Sequence, residues 1–387
     1  MHPTVLDAQT LFAERFAWSA SHLSFAPGRV EFIGNHTDYN GGLVLGASLD
    51  MGVAVAAGAG ESGRARIATL GNGEAVEVDL ARLAPLTGTG SWANYPLGVI
   101  DEVAKLGQVA PSGISLAIAS NLPPGAGLSS SAALELATAY ALSGLLEFEL
   151  PREEMARLGR RAENNFVGVP CGILDQGVSA FGETNALVRI DCRAETFSTV
   201  PLPEGTAFHI FNTGLKHALV DSFYADRHGE CMRARDAIQA VYPEVEYLSL
   251  ATDPQRAAAK LEAVLDKRAH HIITENARVK QVCEALEQGD LEQAGACLYA
   301  SHESSRDNFE NSVAELDFLV EQLRQQPEVI GARLTGGGFG GAVLAFTKDT
   351  YGEAQAAIIK QAYRTAFSED LTWIPSSTGP GAHQVTG

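Results

Sequence analysis

Gly125-Ala126-Gly127-Leu128-Ser129-Ser130-Ser131-Ala132-Ala133 stands between two segments of different periodicity. Before it, Ile114, Leu116 and Ile118 alternate with small residues, the pattern of a half-buried strand, and Pro123-Pro124 ends that strand. After it, Ala132 to Leu146 is rich in Ala and Leu and free of proline, which predicts a helix. Strand, Gly/Ser loop and helix therefore follow one another. The first N–H groups of a helix lack internal partners, and the macrodipole adds partial positive charge there. Glycines let the backbone approach a ligand, and hydroxyls supply further donors or a metal ligand. Such a loop suits a phosphate, with an ordinary serine-rich N-cap as the plainer alternative. It is not a Walker A loop, because no Gly-Lys-Ser/Thr follows.

Outward from this loop, the N-terminal half reads as strand-rich. Phe25 to Ile33, Val44 to Ala57, Arg64 to Leu70, Ala75 to Leu80, Leu187 to Ile190 and Ala207 to Phe211 are apolar or alternating runs. Residues 1–20, with Leu6, Leu11, Phe12 and Phe16 near helical spacing, and Trp92 to Leu106 are expected helices, as is Arg152 to Asn164 behind Pro151. Residues 221–325 read as mostly helical, with an apolar stripe at Val313, Leu316, Val320 and Leu323. A last strand, helix and strand follow, and the Gly/Pro-rich end from Ser376 is expected to fray. The pattern is α+β, and 387 residues suffice for two domains, expected at 1–200 and 201–387 with the boundary near Ser198 to Gly205.

A formal charge of −19 argues against general binding to nucleic acid or to a membrane surface. The five cysteines, Cys171, Cys192, Cys231, Cys283 and Cys297, are widely spaced and odd in number, so neither a disulfide framework nor a zinc site is expected. No signal peptide or membrane-length apolar run is read, and a cytoplasmic monomer is expected. Two motifs mislead. Gly58-Ala59-Gly60-Glu61-Ser62-Gly63 and Gly336 to Gly341 both match G-x-G-x-x-G, yet each runs into a strand pattern rather than a helix. The first is read as a hairpin turn. His270-His271 is read as a solvated helical pair.

Two further blocks accompany the opening loop. They are Ala26-Pro27-Gly28-Arg29-Val30-Glu31-Phe32-Ile33-Gly34-Asn35-His36-Thr37-Asp38-Tyr39-Asn40-Gly41-Gly42 and Gly331-Ala332-Arg333-Leu334-Thr335-Gly336-Gly337-Gly338-Phe339-Gly340-Gly341. The three blocks in this order resemble the GHMP kinases over nearly the whole chain, and the block at 26–42 resembles the galactokinase branch. The resemblance implies a mixed-sheet N-terminal domain, a helix-rich C-terminal domain and an active site between them. It implies ATP held at Gly125 to Ser131 with Trp92 and Tyr95 near the adenine, and Mg²⁺ on Ser131 and Glu163. Asp175, in Cys171-Gly172-Ile173-Leu174-Asp175-Gln176, matches the catalytic Asp, and Arg29 the cation beside it. Asn35, His36, Asp38, Gly172 and Tyr224 match the sugar-binding set.

Such a set meets the needs of phosphoryl transfer to a hydroxyl: held phosphates, a metal and a carboxylate near the attacking oxygen. The implied reaction is ATP-dependent formation of galactose 1-phosphate. One departure bears on the substrate. The galactokinase motif has Asn where this chain has Glu31, and Glu where it has Asn35. A neutral Asn35 penalises a missing sugar hydroxyl less than a charged acceptor does, so activity on sugars beyond galactose is expected. The alternatives are a sugar 1-kinase for another hexose or a pentose, or a ligand-responsive regulator without catalysis.

Overall fold

The alternating and the small apolar runs sort into two sheets in a computed structural model that describes residues 1–70, 75–108, 113–216 and 220–385. The first part contains α1 (Pro3–Phe16), β1 (His22–Ile33), β2 (Leu43–Gly60), β3 (Arg64–Thr69), β4 (Val76–Asp79), α2 (Asn94–Lys105), β5 (Gly113–Ser120), α3 (Ser130–Leu145), α4 (Arg152–Arg161), α5 (Leu174–Phe181), β6 (Ala186–Asp191) and β7 (Thr196–Pro201). The second contains β8 (Thr206–Lys216), α6 (Val220–Gln239), α7 (Asp253–Ala258), α8 (Ala263–Gln288), α9 (Leu291–Ser304), α10 (Ala314–Arg324), β9 (Val329–Thr335), β10 (Gly340–Lys348), α11 (Glu353–Phe367), β11 (Thr372–Ser376) and β12 (His383–Val385).

The first sheet runs β12-β1-β2-β5-β3-β4, with β6 on the start of β2 and β7 beyond it. It is mixed: β3 and β5 are parallel, and its other pairs are antiparallel. Because β5 lies between β2 and β3, the Gly58–Gly63 turn does not close the hairpin expected there. The turn expected at Gly71-Asn72-Gly73 lies outside the described residues. Helix α1 covers one face: Val5, Leu11, Phe12 and Phe16 pack on Phe25, Ala54, Ala56 and Ala117, while Leu6 points to solvent. Helix α3 covers the other face across β1 and β2, and its Ala and Leu residues are buried around much of its circumference. A helix apolar on most sides belongs inside.

The second sheet, β11-β8-β10-β9, is antiparallel and carries α10 and α11 on one face. The strands change sheet between Pro201 and Thr206. One contiguous core nevertheless spans both parts, from Val30 and Phe32 of β1 to Phe208, Leu344 and Phe346, and Phe32 meets Phe346 edge-on at 5.3 Å. As far as Val385 the C-terminal segment is not frayed. Strand β12 returns to pair with β1, Gly379 N–H donates to Ser48 O, and Ala382 N–H donates to Ser179 O. The glycines that suggested fraying serve close packing: a Cβ on Gly381 would overlap the Ala180 carbonyl.

Candidate active site

Strand β1 delivers the first functional side chains. Its register against β2 shifts between Pro27 and Arg29 and again between Glu31 and Ile33, and such irregularities re-aim side chains. Between the shifts, Arg29 and Glu31 sit two residues apart and share one face. Gly28 has no room for a Cβ, which would overlap the Leu128 carbonyl. The Gly125–Ser131 loop is thereby drawn onto β1, and Arg29 N–H donates to Leu128 O at 3.1 Å.

Arg29 and Ser129 together fix Asp175. Arg29 Nε donates to Asp175 Oδ1 at 2.8 Å, and Arg29 Nη2 lies 2.6 Å from the same oxygen. Ser129 Oγ donates to Asp175 Oδ2 at 2.6 Å. Arg29 Nη1 reaches on to Gly127 O at 2.9 Å. Ser129 occupies the N-cap position of α3 with φ +52° and makes no side-chain cap. Its hydroxyl is committed to Asp175, so the first-turn N–H groups of α3 keep no side-chain acceptor. Just before that turn, the loop borders a cavity of about 320 Å³ lined by Arg29, Gly125, Gly127, Ser129 and, across the cleft, Gly336, Gly337, Gly338, Gly340 and Gly341. The two glycine-rich blocks are therefore opposite walls of one channel.

On the other side of Arg29 lies a cavity of about 270 Å³, lined by Glu31, Asn35, His36, Asp38, Glu163, Gly172, Asp175, Tyr224, Gly336 and Gly337 among others. Gly172 can sit here only as glycine, since a Cβ would overlap the Asp38 carboxylate. Burial, reinforced by Glu31 and Asp175, pushes Asp38 up to about 7. Burial brings His36 down to about 3, so its ring is neutral. His36 Nε2 lies 3.1 Å from Gly337 O, which can only accept; Nδ1, 2.9 Å from Tyr39 Oη, is therefore the acceptor. His36 itself is held at φ +60°, and Asn40 Nδ2 caps its carbonyl at 2.8 Å. Tyr224 stands 5.1 Å from the His36 ring, ring centre to ring centre.

Glu163 is not on a regular helix. Helix α4 passes into a π-helical turn, Ala162–Val167, closed by Gly168 at φ +84°, a form often found at functional sites. Glu163 Oε2 accepts from Gln176 Nε2 at 2.8 Å and from Cys171 Sγ at 3.3 Å, and the nearby Ser131 side chain favours the ionised carboxylate. Burial and the charge of Asp175 raise Glu163, and burial and Glu163 raise its neighbour Glu135, whose Oε1 is buried without a hydrogen-bond partner. Carboxylates crowded in this way favour a cation. Among the described residues no cage of three or more His, Cys, Asp or Glu exists. Mg²⁺ held with a nucleotide needs no such cage, since phosphates and waters fill most positions. Ser131 and Glu163 fit that role. Trp92, at the end of the 3₁₀ segment Gly88–Ala93, is half-buried against the core, and Tyr95 lies close enough for Glu163 to raise its hydroxyl after burial does.

Several residues that hold the site escaped the sequence reading. Glu275 of α8 is fully buried and accepts from Gly34 N, Asn35 N and Ser301 Oγ at 3.1, 3.2 and 2.6 Å. Burial opposes its ionisation, but Arg278, His271 and Arg333 outweigh it and bring Glu275 to about 2. His271 is not solvated: it is buried, lies 3.0 Å from Ser304 Oγ, and donates from Nε2 to Asn35 O at 3.1 Å. Gln176 Nε2 joins Glu135 and Glu163 at 2.9 and 2.8 Å. The signal available for both was their place on the apolar side of α8, with Ile272, Val279, Val282 and Leu286.

Fold and site together define a phosphoryl-transfer enzyme of the GHMP type. Residues 94–183 match the profile described as GHMP kinases N terminal domain, 283–366 match GHMP kinases C terminal, and 10–59 match the galactokinase galactose-binding signature. The chain is 38% identical to the galactokinase of Thermotoga neapolitana over 93% of this chain and 99% of that one. It is 38% identical to the galactokinase of Actinobacillus pleuropneumoniae serotype 3 over the full length of both. Lactococcus lactis galactokinase complexed with galactose superposes with a TM-score of 0.92 at 32% identity, covering 97% of this chain and 98% of that one. A mevalonate kinase, at 18% identity and a TM-score of 0.66, shares the fold. The chain belongs to the galactokinase family. No helix among the described residues is long and apolar enough to cross a membrane.

Proposed function

We propose that the chain transfers the γ-phosphoryl group of ATP to the anomeric hydroxyl of galactose, giving galactose 1-phosphate and ADP. The observation that carries this reading is the Arg29–Asp175–Ser129 cluster, which stands where the sugar-sized cavity meets the glycine-walled channel. The anomeric oxygen enters from the first cavity and the γ-phosphate from the second, so attack is oriented across Asp175. Asp175 accepts the hydroxyl proton as the O–P bond forms. Arg29 holds the Asp175 carboxylate in place and stabilises charge on the attacking oxygen. The N–H groups of Gly125 to Ser131 hold the phosphates, with Trp92 beside the adenine. Mg²⁺, when bound on Ser131 and Glu163, supplies charge neutralisation on the transferred group. Asp38, Tyr224 and the backbone at Gly172 line the sugar, and His36 and Asn35 line it with their polar atoms already bonded to protein. Five free thiols fit a reducing compartment, so a cytoplasmic setting is proposed.

ADP release measured over a panel of hexoses and pentoses tests the assignment. Galactose is expected to give the highest kcat/KM. A different best sugar would move the reading to another sugar 1-kinase, and no release with any sugar would leave a ligand-binding regulator.

A further inference from the structure

Asn35 and Glu31 differ in what they have left to give a ligand. The Asn35 amide is saturated. Nδ2 donates to Gly336 O at 2.7 Å and to Glu31 Oε1 at 3.2 Å, while Oδ1 accepts from Asn311 Nδ2 at 2.8 Å, with Ser305 Oγ 3.5 Å away. An amide has two donors and two lone pairs, so no strong site remains, and the residue is only 1% exposed.

Glu31 is placed differently. Its Oε1 takes Arg333 Nη1 at 2.9 Å and Asn35 Nδ2 at 3.2 Å, so the carboxylate is anchored on one side. Among the described residues no hydrogen bond reaches the second oxygen, Oε2, and that atom is not among the buried polar atoms lacking a partner. Glu31 lines the cavity that also holds Asp38, Asp175 and Tyr224. A carboxylate with one oxygen tied down and the other facing a polar cavity is a preorganised acceptor for a hydroxyl.

We propose that Glu31, through Oε2, is the carboxylate that accepts a hydrogen bond from a galactose hydroxyl and sets selectivity for it, with Asn35 as the residue that positions it. This rests on the sugar-kinase reading above and deepens it. The inference reverses the expectation drawn from Asn35: the site keeps an anchored carboxylate, so a galactose analogue lacking the partner hydroxyl leaves it unpaired and is turned over poorly.

The test measures kcat/KM for galactose and for 2-, 3-, 4- and 6-deoxygalactose with wild type, Glu31→Gln and Glu31→Asp. Glu31→Asp keeps the charge that Arg333 needs and only draws the oxygen back, so it preserves the fold should Glu31→Gln not. Wild type is expected to penalise one deoxy sugar by roughly 10- to 100-fold, the worth of a hydrogen bond to a charged group. Both variants are expected to lose most of that one penalty, through KM for the sugar, with KM for ATP unchanged. Asn35→Ala is expected to raise galactose KM in wild type but to add little on top of Glu31→Gln, because it acts through Glu31. Identical deoxy-sugar penalties in wild type and both variants, or additive effects of the two sites, would overturn the assignment while galactose turnover by wild type still upheld the kinase. If wild type does not phosphorylate galactose at all, both readings fall.

Discussion

Asp175 has an oxygen bound to Arg29 and another bound to Ser129, so the carboxylate cannot turn away from the channel mouth. Asp175→Asn keeps the shape and removes the base. The variant is expected to fold and bind ATP and galactose in calorimetry while kcat drops by roughly 10²–10⁴-fold; near wild-type kcat would take the base role from Asp175. Asp38 makes a pH prediction. Its folded value of about 7 lies above the ordinary 3.8, so the folded protein keeps a proton that the unfolded chain has released. The contribution of Asp38 to stability is therefore full below about pH 4 and is lost as pH rises through about 7. In the absence of ligand, Asp38→Asn is expected to gain in Tm relative to wild type between about pH 5 and pH 8. A constant difference across that range would mean that Asp38 titrates normally. At this scale the motifs named Asp175, Arg29 and Asp38 because their residue types stand in blocks of fixed spacing. Ser129 was legible only as part of the loop, since its partner lies 46 positions away. Asn35 drew attention as a substituted residue, but its saturation by Gly336 and Asn311 depends on contacts across some 300 positions that no local pattern encodes.

The loop before α3 and the π-helical turn after α4 are the elements proposed to meet the nucleotide. Gly127 has φ +70°, and nothing lies within 4 Å of where its Cβ would be. A valine there carries left-handed strain and fills the channel. Gly127→Val is expected to abolish measurable ATP binding while galactose still raises Tm; normal ATP affinity would exclude the loop from the triphosphate site. Glu163→Gln is expected to raise the Mg²⁺ concentration for half-maximal activity, because a neutral amide is a poorer ligand for a hard cation. An unchanged Mg²⁺ titration would make Glu163 structural. The strand–loop–helix order around Gly125 was plain from periodicity. The π-helical turn was not, since one extra residue per turn leaves no mark on composition. The hairpin read at Gly58–Gly63 failed for a related reason: β5, far along the chain, inserts between β2 and β3.

The whole molecule is two sheets joined by one core, with the site in the seam. Arg333 of β9 pairs with Glu31 of β1, and Glu275 of α8 holds the Gly34–Asn35 backbone, so the second part of the chain builds the sugar side of a site that begins in the first. The α+β class was legible from runs of strand and helix patterns. The return of β12 to the first sheet was not, because Gly and Pro mark close packing and loose ends alike. In the proposed reaction this seam brings a γ-phosphate to an anomeric oxygen. Its most direct test is ³¹P NMR of purified protein with ATP, Mg²⁺ and galactose. An anomeric sugar-phosphate signal, coupled to the anomeric proton, is expected to grow in step with ADP; ADP without that signal, or phosphate on another hydroxyl, would contradict this chemistry.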